Sequence, residues 1–225
     1  GYFGYDNPSY SHTYSEMTGN QAFASRGANI AFSKGIVVVA SAGNSGASSN
    51  PYVGVPAEAT NVLAIGAVRP DETYATFSSI GPSFDGRVKP DVMAQGQAAI
   101  VSNSNGAIVS ADGTSFSGPI MAGMIASFWS AVPTLTAAQV VQFVKQSADR
   151  YVLPTNQYGY GIPDFQLALT NALGNEIFNN ERIALYPNPV QDRITIHLPS
   201  NQSEAKLYIY NNLGQIINQF HISNS

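Results

Sequence analysis

Ser115 stands among small residues in Gly113-Thr114-Ser115-Phe116-Ser117-Gly118-Pro119, and the apolar run Ile120-Met121-Ala122-Gly123-Met124 follows at once. A serine hydroxyl is a weak nucleophile until a neighbouring base takes its proton, and attack on a carbonyl also needs donors for the oxyanion that develops. At the mouth of a helix, Ser115 would meet free backbone N–H groups and the positive end of the helix dipole, while Gly113 and Gly118 leave room for a substrate. Taken alone, the same serine is equally well an N-cap. A second motif, Ser41-Ala42-Gly43-Asn44-Ser45-Gly46, lies directly after the apolar run Ile36 to Ala40. An Asn carboxamide at the C-terminal end of a parallel strand can donate a hydrogen bond to an oxyanion, although among glycines Asn is also a common turn residue.

These residues need a scaffold, and the surrounding pattern supplies α/β grammar. Apolar positions Ala22, Phe23, Ala28, Ile30, Ala31 and Phe32 predict an amphipathic helix over 20–34, closed by Gly35. Ile36 to Ala40 reads as a strand buried on both faces, Val62 to Val68 as a second, and Ala98 to Val101 as a third. Ser115 to Ala131 is expected to be a buried helix, with Pro119 tolerated near its first turn. Thr136-Ala137-Ala138-Gln139 is a capping box that opens a helix to Ala148, and a last short helix is expected over 163–173, before Gly174. Residues 1–18 read as a loop with turn chemistry.

With 44% apolar residues and 20 glycines, the 225-residue chain is expected to bury a real core. Ten basic against 14 acidic residues, a net charge of -4 and no run of like charges exclude recruitment of nucleic acid or an anionic membrane. The absence of cysteine excludes disulfides and thiolate chemistry. No apolar run is long enough to be a transmembrane segment.

"SAGNSG", "RVKPDVMAQG" and "GTSFSGPIMAG", in that order, resemble the subtilisin-like serine peptidases, whose nucleophile segment reads GTSxxxPxxAG; "YGYGIPD", residues 158–164, resembles the end of their catalytic domain. The resemblance spans residues 1–173 and implies an α/β fold: the C-terminal part of a parallel-sheet catalytic domain with flanking helices. It implies peptide hydrolysis through an acyl-enzyme, with Ser115 as nucleophile and Asn44 as oxyanion donor. In this family, loss of that Asn is known to cost about 10²–10³ in turnover. By the same resemblance Ser41, Ala42, Gly43, Gly113 and Thr114 contact a polypeptide substrate, and Gly1-Tyr2 is the stub of a substrate-pairing strand. Gln95 and Ile120 depart from the family pattern, which has Pro and His there.

The family's Asp and His motifs, Asp-Ser/Thr-Gly and His-Gly-Thr-x-Val-Ala, do not occur in the chain. Asp6 and His12 precede Asn44 in unsuitable settings, and His12 reads as an exposed loop histidine. His197 and His221 lie further on and read as strand-surface residues. The chain is therefore expected to begin downstream of its own base, and alone to be inactive or nearly so. The α/β-hydrolase alternative fails because Ser117 replaces the second Gly of G-x-S-x-G. Asp91 and Asp112 lack the clustering a metal needs, with Asp91 read as a local hydrogen-bond acceptor. No metal or other cofactor is expected, and structural calcium in a longer parent is left open.

Beyond a linker at 174–184 the texture changes to period-two alternation. A β-hairpin is expected around Asn211-Asn212-Leu213-Gly214 in a partial all-β, sandwich-like module. "LYPNPVQDRITIHLP" with "LYIYNNLGQII" resembles the start of the C-terminal sorting domain of the type IX secretion system of Bacteroidetes-type bacteria, here over 185–225. That resemblance implies a secreted or cell-surface protein carried through the outer membrane, with the secretion machinery as partner. The alternative kept beside the peptidase is a non-catalytic secreted or surface binding protein that retains a degenerate form of the same fold.

Overall fold

The computed structural model describes residues 3–174, 184–186, 192–197 and 204–223. Gly1-Tyr2, the linker residues 175–183 and residues 187–190 of "YPNPV" lie outside the described residues. The chain forms two compact units, Gly1–Leu173 and Gly174–Ser225.

In the first unit, helix α1 (Phe23–Ser33) leads into a three-stranded parallel sheet in the order β1 (Val38–Ser41), β2 (Val62–Val68), β3 (Val92–Gln95). All seven residues of β2 are buried because it is the central strand with both faces covered. Its pleat sends Leu63 and Ile65 into one core with Met121, Ile125, Phe128, Val140 and Val144, while Ala64 joins Ala42, Val53 and Ala57 on the opposite face. A hairpin, β4 (Ala99–Ser102) and β5 (Ile108–Ala111), precedes α2 (Thr114–Ala131), and α3 (Ala137–Gln146) and α4 (Phe165–Ala172) complete the unit. The capping box forms as its sequence demands, with the Gln139 amide N–H donating to Thr136 Oγ1 and the Thr136 N–H to Gln139 Oε1.

Four elements depart from the sequence reading. β1 is half-buried rather than buried on both faces, because among the described residues it pairs with β2 alone and forms the sheet edge; Ile36 lies outside the strand and is 55% exposed. The third parallel strand is Val92–Gln95, inside the "RVKPDVMAQG" motif, whereas Ala99–Ser102, where the third strand was expected, belongs to the hairpin. Helix α2 is buried on one face only, through Thr114, Ser117, Gly118, Met121, Ile125 and Phe128, and leaves Ile120 and Met124 exposed. Pro119 stands in its second turn, where the missing amide cannot bond the Ser115 carbonyl.

A buried ion cluster ties these layers together. Lys89 Nζ donates to Asp91 Oδ2 at 2.7 Å and to the Val62 carbonyl at 2.8 Å, and the Ala64 N–H donates to the same carboxylate oxygen at 2.8 Å. Lys145 of α3 reaches the other oxygen, Oδ1, at 2.5 Å. Asp91 is thus the local acceptor expected of it. Burial works to raise its carboxyl pKa, and the charges of Lys89 and Lys145 outweigh that effect, holding it below the ordinary carboxylate range.

Among the described residues the second unit contains two antiparallel pairs, β6 (Ala184–Tyr186) with β7 (Thr195–His197) and β8 (Glu204–Tyr210) with β9 (Ile216–Ser223). The β8–β9 turn falls at the expected residues, where Asn211 Oδ1 accepts from the Leu213 and Gln215 amides and Gly214 takes a φ of 76°.

Candidate active site

Open parallel sheets bind ligands beyond the carboxyl ends of their strands, and the chain leaving β1 and the start of α2 meet there. They form a cleft of about 450 Å³ lined by Ala40, Ser41, Gly43, Asn44, Ser45, Pro56, Thr114 and Ser115. A Cβ on Gly118 would lie 2.7 Å from Ser41 Oγ and force that hydroxyl to turn away, whereas the Ser41 backbone stands at 3.8 Å.

Ser115 is the second residue of α2, exposed, with its side chain at the cleft. Of the first three helix amides, that of Thr114 donates to Asn44 Oδ1 at 2.9 Å and that of Phe116 to the Gly113 carbonyl at 3.0 Å. The Ser115 amide has no acceptor among the described residues, so it remains a donor at the positive end of the helix.

Asn44 follows β1 in the 42–46 loop and is exposed. Its Oδ1 accepts both from the Thr114 amide and from Thr114 Oγ1, each at 2.9 Å. With its oxygen committed in this way, the carboxamide offers its NH₂ group; Nδ2 would stand 3.5 Å from a Cβ on Gly113. Gly113 has a φ of 151°, a conformation that side-chain-bearing residues rarely adopt, and it caps α2 without lining the cleft.

Thr114 is 1% exposed and joins the two motifs. Besides its bonds to Asn44, its hydroxyl accepts from the Gly43 amide at 3.2 Å, and its carbonyl accepts from Ser41 Oγ at 2.7 Å and Ser117 Oγ at 3.1 Å. Ser41, Gly43 and Thr114 line the cleft, whereas Ala42 is fully buried in the core behind it. Pro56, Ala40 and Ser45 also line it. Pro56 comes from a connection that bears no motif of its own, so only the fold brings it there.

No histidine or carboxylate among the described residues hydrogen-bonds to Ser115. His12 is not the exposed loop residue the sequence implied: its side chain is 20% exposed, edge-on to Tyr5, with Nδ1 3.6 Å from Glu16 Oε1. It lines a different, apolar cleft with Tyr5, Tyr10, Phe23 and Val55. His221 is exposed on β9, and the side chain of His197 lies outside the described residues. Asp112 accepts from the Ala98 amide at 2.7 Å.

Comparison with known proteins adds to this geometry. The subtilase family profile matches residues 6–161, and the profile of the secretion system C-terminal sorting domain matches residues 184–225. Subtilisin DY of Bacillus licheniformis is 37% identical over 139 residues, covering 61% of this chain and 48% of the relative. Subtilisin E of Bacillus subtilis is 38% identical over 139 residues, covering 61% of this chain and 35% of the relative. The chain thus spans between a third and a half of the length of these relatives. Among solved structures, the self-cleaved protease domain of PatA superimposes with a TM-score of 0.60 at 25% identity, covering 69% of this chain and 58% of that one.

Proposed function

The chain belongs to the subtilase family, whose members include serine peptidases, and from that premise we propose that it carries the nucleophile and the oxyanion donor of a serine endopeptidase. The observation that carries this reading is the shared cleft: Ser115 and Asn44 line it together, and Thr114 holds the Asn44 oxygen so that the NH₂ group is the one on offer. In the proposed reaction Ser115 Oγ loses its proton to a base and attacks the scissile carbonyl carbon. The resulting oxyanion accepts hydrogen bonds from the Ser115 amide and from Asn44 Nδ2. Collapse expels the amine, which takes the proton back from the base, and water then releases the acyl group by the same route. Ser41, Gly43 and Thr114 contact the polypeptide at the cleft wall, while Ala42 and Gly113 set the backbone that forms it.

The base and its orienting acid are needed as well. Neither of the family's corresponding motifs occurs in residues 1–225, so hydrolysis is proposed for a protein that carries those motifs together with this chain. The C-terminal sorting domain marks the protein for secretion or the cell surface. Among the described residues no helix is long and apolar enough to cross a membrane. We propose the type IX secretion machinery as the partner that reads the sorting domain.

The test uses the protein as secreted. A fluorophosphonate should label Ser115 and a peptide substrate should be cleaved, with both lost in Ser115→Ala; Asn44→Leu should lower turnover about 10²–10³ with KM little changed. Labelling or cleavage that persists in Ser115→Ala overturns the assignment. A folded, secreted protein that binds polypeptides but neither labels nor cleaves them would instead be a binding protein.

A further inference from the structure

Thr114 fixes how the Asn44 carboxamide is turned and holds the backbone on one side of it, through the Gly43 amide. A second hold, on both sides of Asn44, comes from residues 77–79, which carry no motif. The Ser79 amide donates to the Gly43 carbonyl at 2.8 Å, and Ser79 Oγ accepts from the Ser45 amide at 3.1 Å. One residue therefore grips the chain immediately before and immediately after Asn44. Two residues away, the Gly46 amide donates to the Phe77 carbonyl at 2.8 Å. A Cβ on Gly46 would lie 2.1 Å from the Ser78 carbonyl oxygen, so only glycine lets the two segments approach this closely.

The grip is itself anchored in the core. Ser78 and Ser79 are 0% and 1% exposed, and Ser78 Oγ accepts from the amide of Ala67 on the central strand β2 at 3.0 Å. Pro51 and Val53 bond the backbone of Ile80 from the other side, through Ile80 N–H to Pro51 O at 2.8 Å and Val53 N–H to Ile80 O at 2.9 Å. Asn44 is exposed, three residues beyond the end of the half-buried edge strand β1. A buried hydroxyl bonded to the chain beside it couples it, through Ser78, to the central strand.

We propose that Ser79 is a positioning residue for the oxyanion donor: it touches neither Ser115 nor the cleft, and acts by holding the backbone of Asn44 through residues 43 and 45. The inference rests on the proposed peptidase function, and oxyanion donors reward this kind of constraint because misplacement by about 1 Å can cost roughly 10²-fold in rate.

Two measurements separate this inference from the reading beneath it. In the secreted enzyme, Ser79→Ala should lower kcat about tenfold or more with KM little changed, and Ser79→Thr, which keeps the hydroxyl, should restore most of it. In an Asn44→Leu background Ser79→Ala should have no further effect, because the residue it positions is gone. Full kcat in Ser79→Ala, or an effect that multiplies with that of Asn44→Leu, overturns the proposal. The second measurement needs no turnover: hydrogen exchange at the Ser45 amide of the 225-residue chain should be at least about tenfold faster in Ser79→Ala than in wild type or Ser79→Thr. Unchanged exchange there overturns the clamp, whereas faster exchange in a protein without Ser115-dependent cleavage leaves the clamp standing and removes the peptidase reading.

Discussion

Lys89→Met tests how the buried ion cluster at Asp91 holds the sheet. Methionine keeps the length of the stem and removes only the ammonium, which is 2.7 Å from Asp91 Oδ2 and 2.8 Å from the Val62 carbonyl. The side chains of Lys89 and Asp91 are 2% and 3% exposed, so water cannot replace the lost partner. Breaking a buried pair by removing one member costs about 3–5 kcal/mol. Here Lys145 remains on Asp91 Oδ1 and keeps part of the charge compensated, which places the expected loss near the lower end, about 3 kcal/mol. Lys145→Met is the internal control: that side chain is 27% exposed, solvent screens its charge, and its loss should cost about 1 kcal/mol. Replacing both members, Lys89→Met with Asp91→Asn, should be less damaging than Lys89→Met alone, since no buried charge is left uncompensated. Urea unfolding followed through Trp129 reads all four proteins, because this single tryptophan packs on the same core and donates to the Leu135 carbonyl. Equal losses for Lys89→Met and Lys145→Met, or a double variant worse than the single, would refute the reasoning.

The same cluster predicts an acid limb. The folded-state pKa of Asp91 is lowered, so its stabilising contribution is complete above the unfolded value of about 3.9 and is lost as pH falls through the lower folded value. Urea midpoints should therefore decline below about pH 4, and Asp91→Asn should flatten that decline; an equally steep limb in the variant would contradict the assignment. Thr114→Val removes the hydroxyl that serves Gly43 and Asn44 and should cost about 1–3 kcal/mol in urea unfolding, with Thr114→Ser close to wild type. A neutral Thr114→Val would mean that the hydroxyl is not the join between the two motifs.

Local patterns in the chain already specified much of this protein. Residues 136–139 made a capping box, residues 211–214 a hairpin turn, and the apolar 62–68 run a strand, because each depends on interactions within a few residues. The two motifs that meet at the cleft were also legible, since helix starts and strand ends are local features with fixed chemistry. Burial was not. Val37 to Ala40 are as apolar as Val62 to Val68, yet only the latter acquire neighbours on both sides, and strand order is a property of the assembled sheet. For the same reason Val92–Gln95 could not be known as a strand until β2 lay beside it. Likewise, nothing about Ser79 in the sequence marks it as a partner of residues 43 and 45. Thirty-odd residues separate these partners, and a hydrogen bond across that distance exists only once the sheet has brought the two loops together.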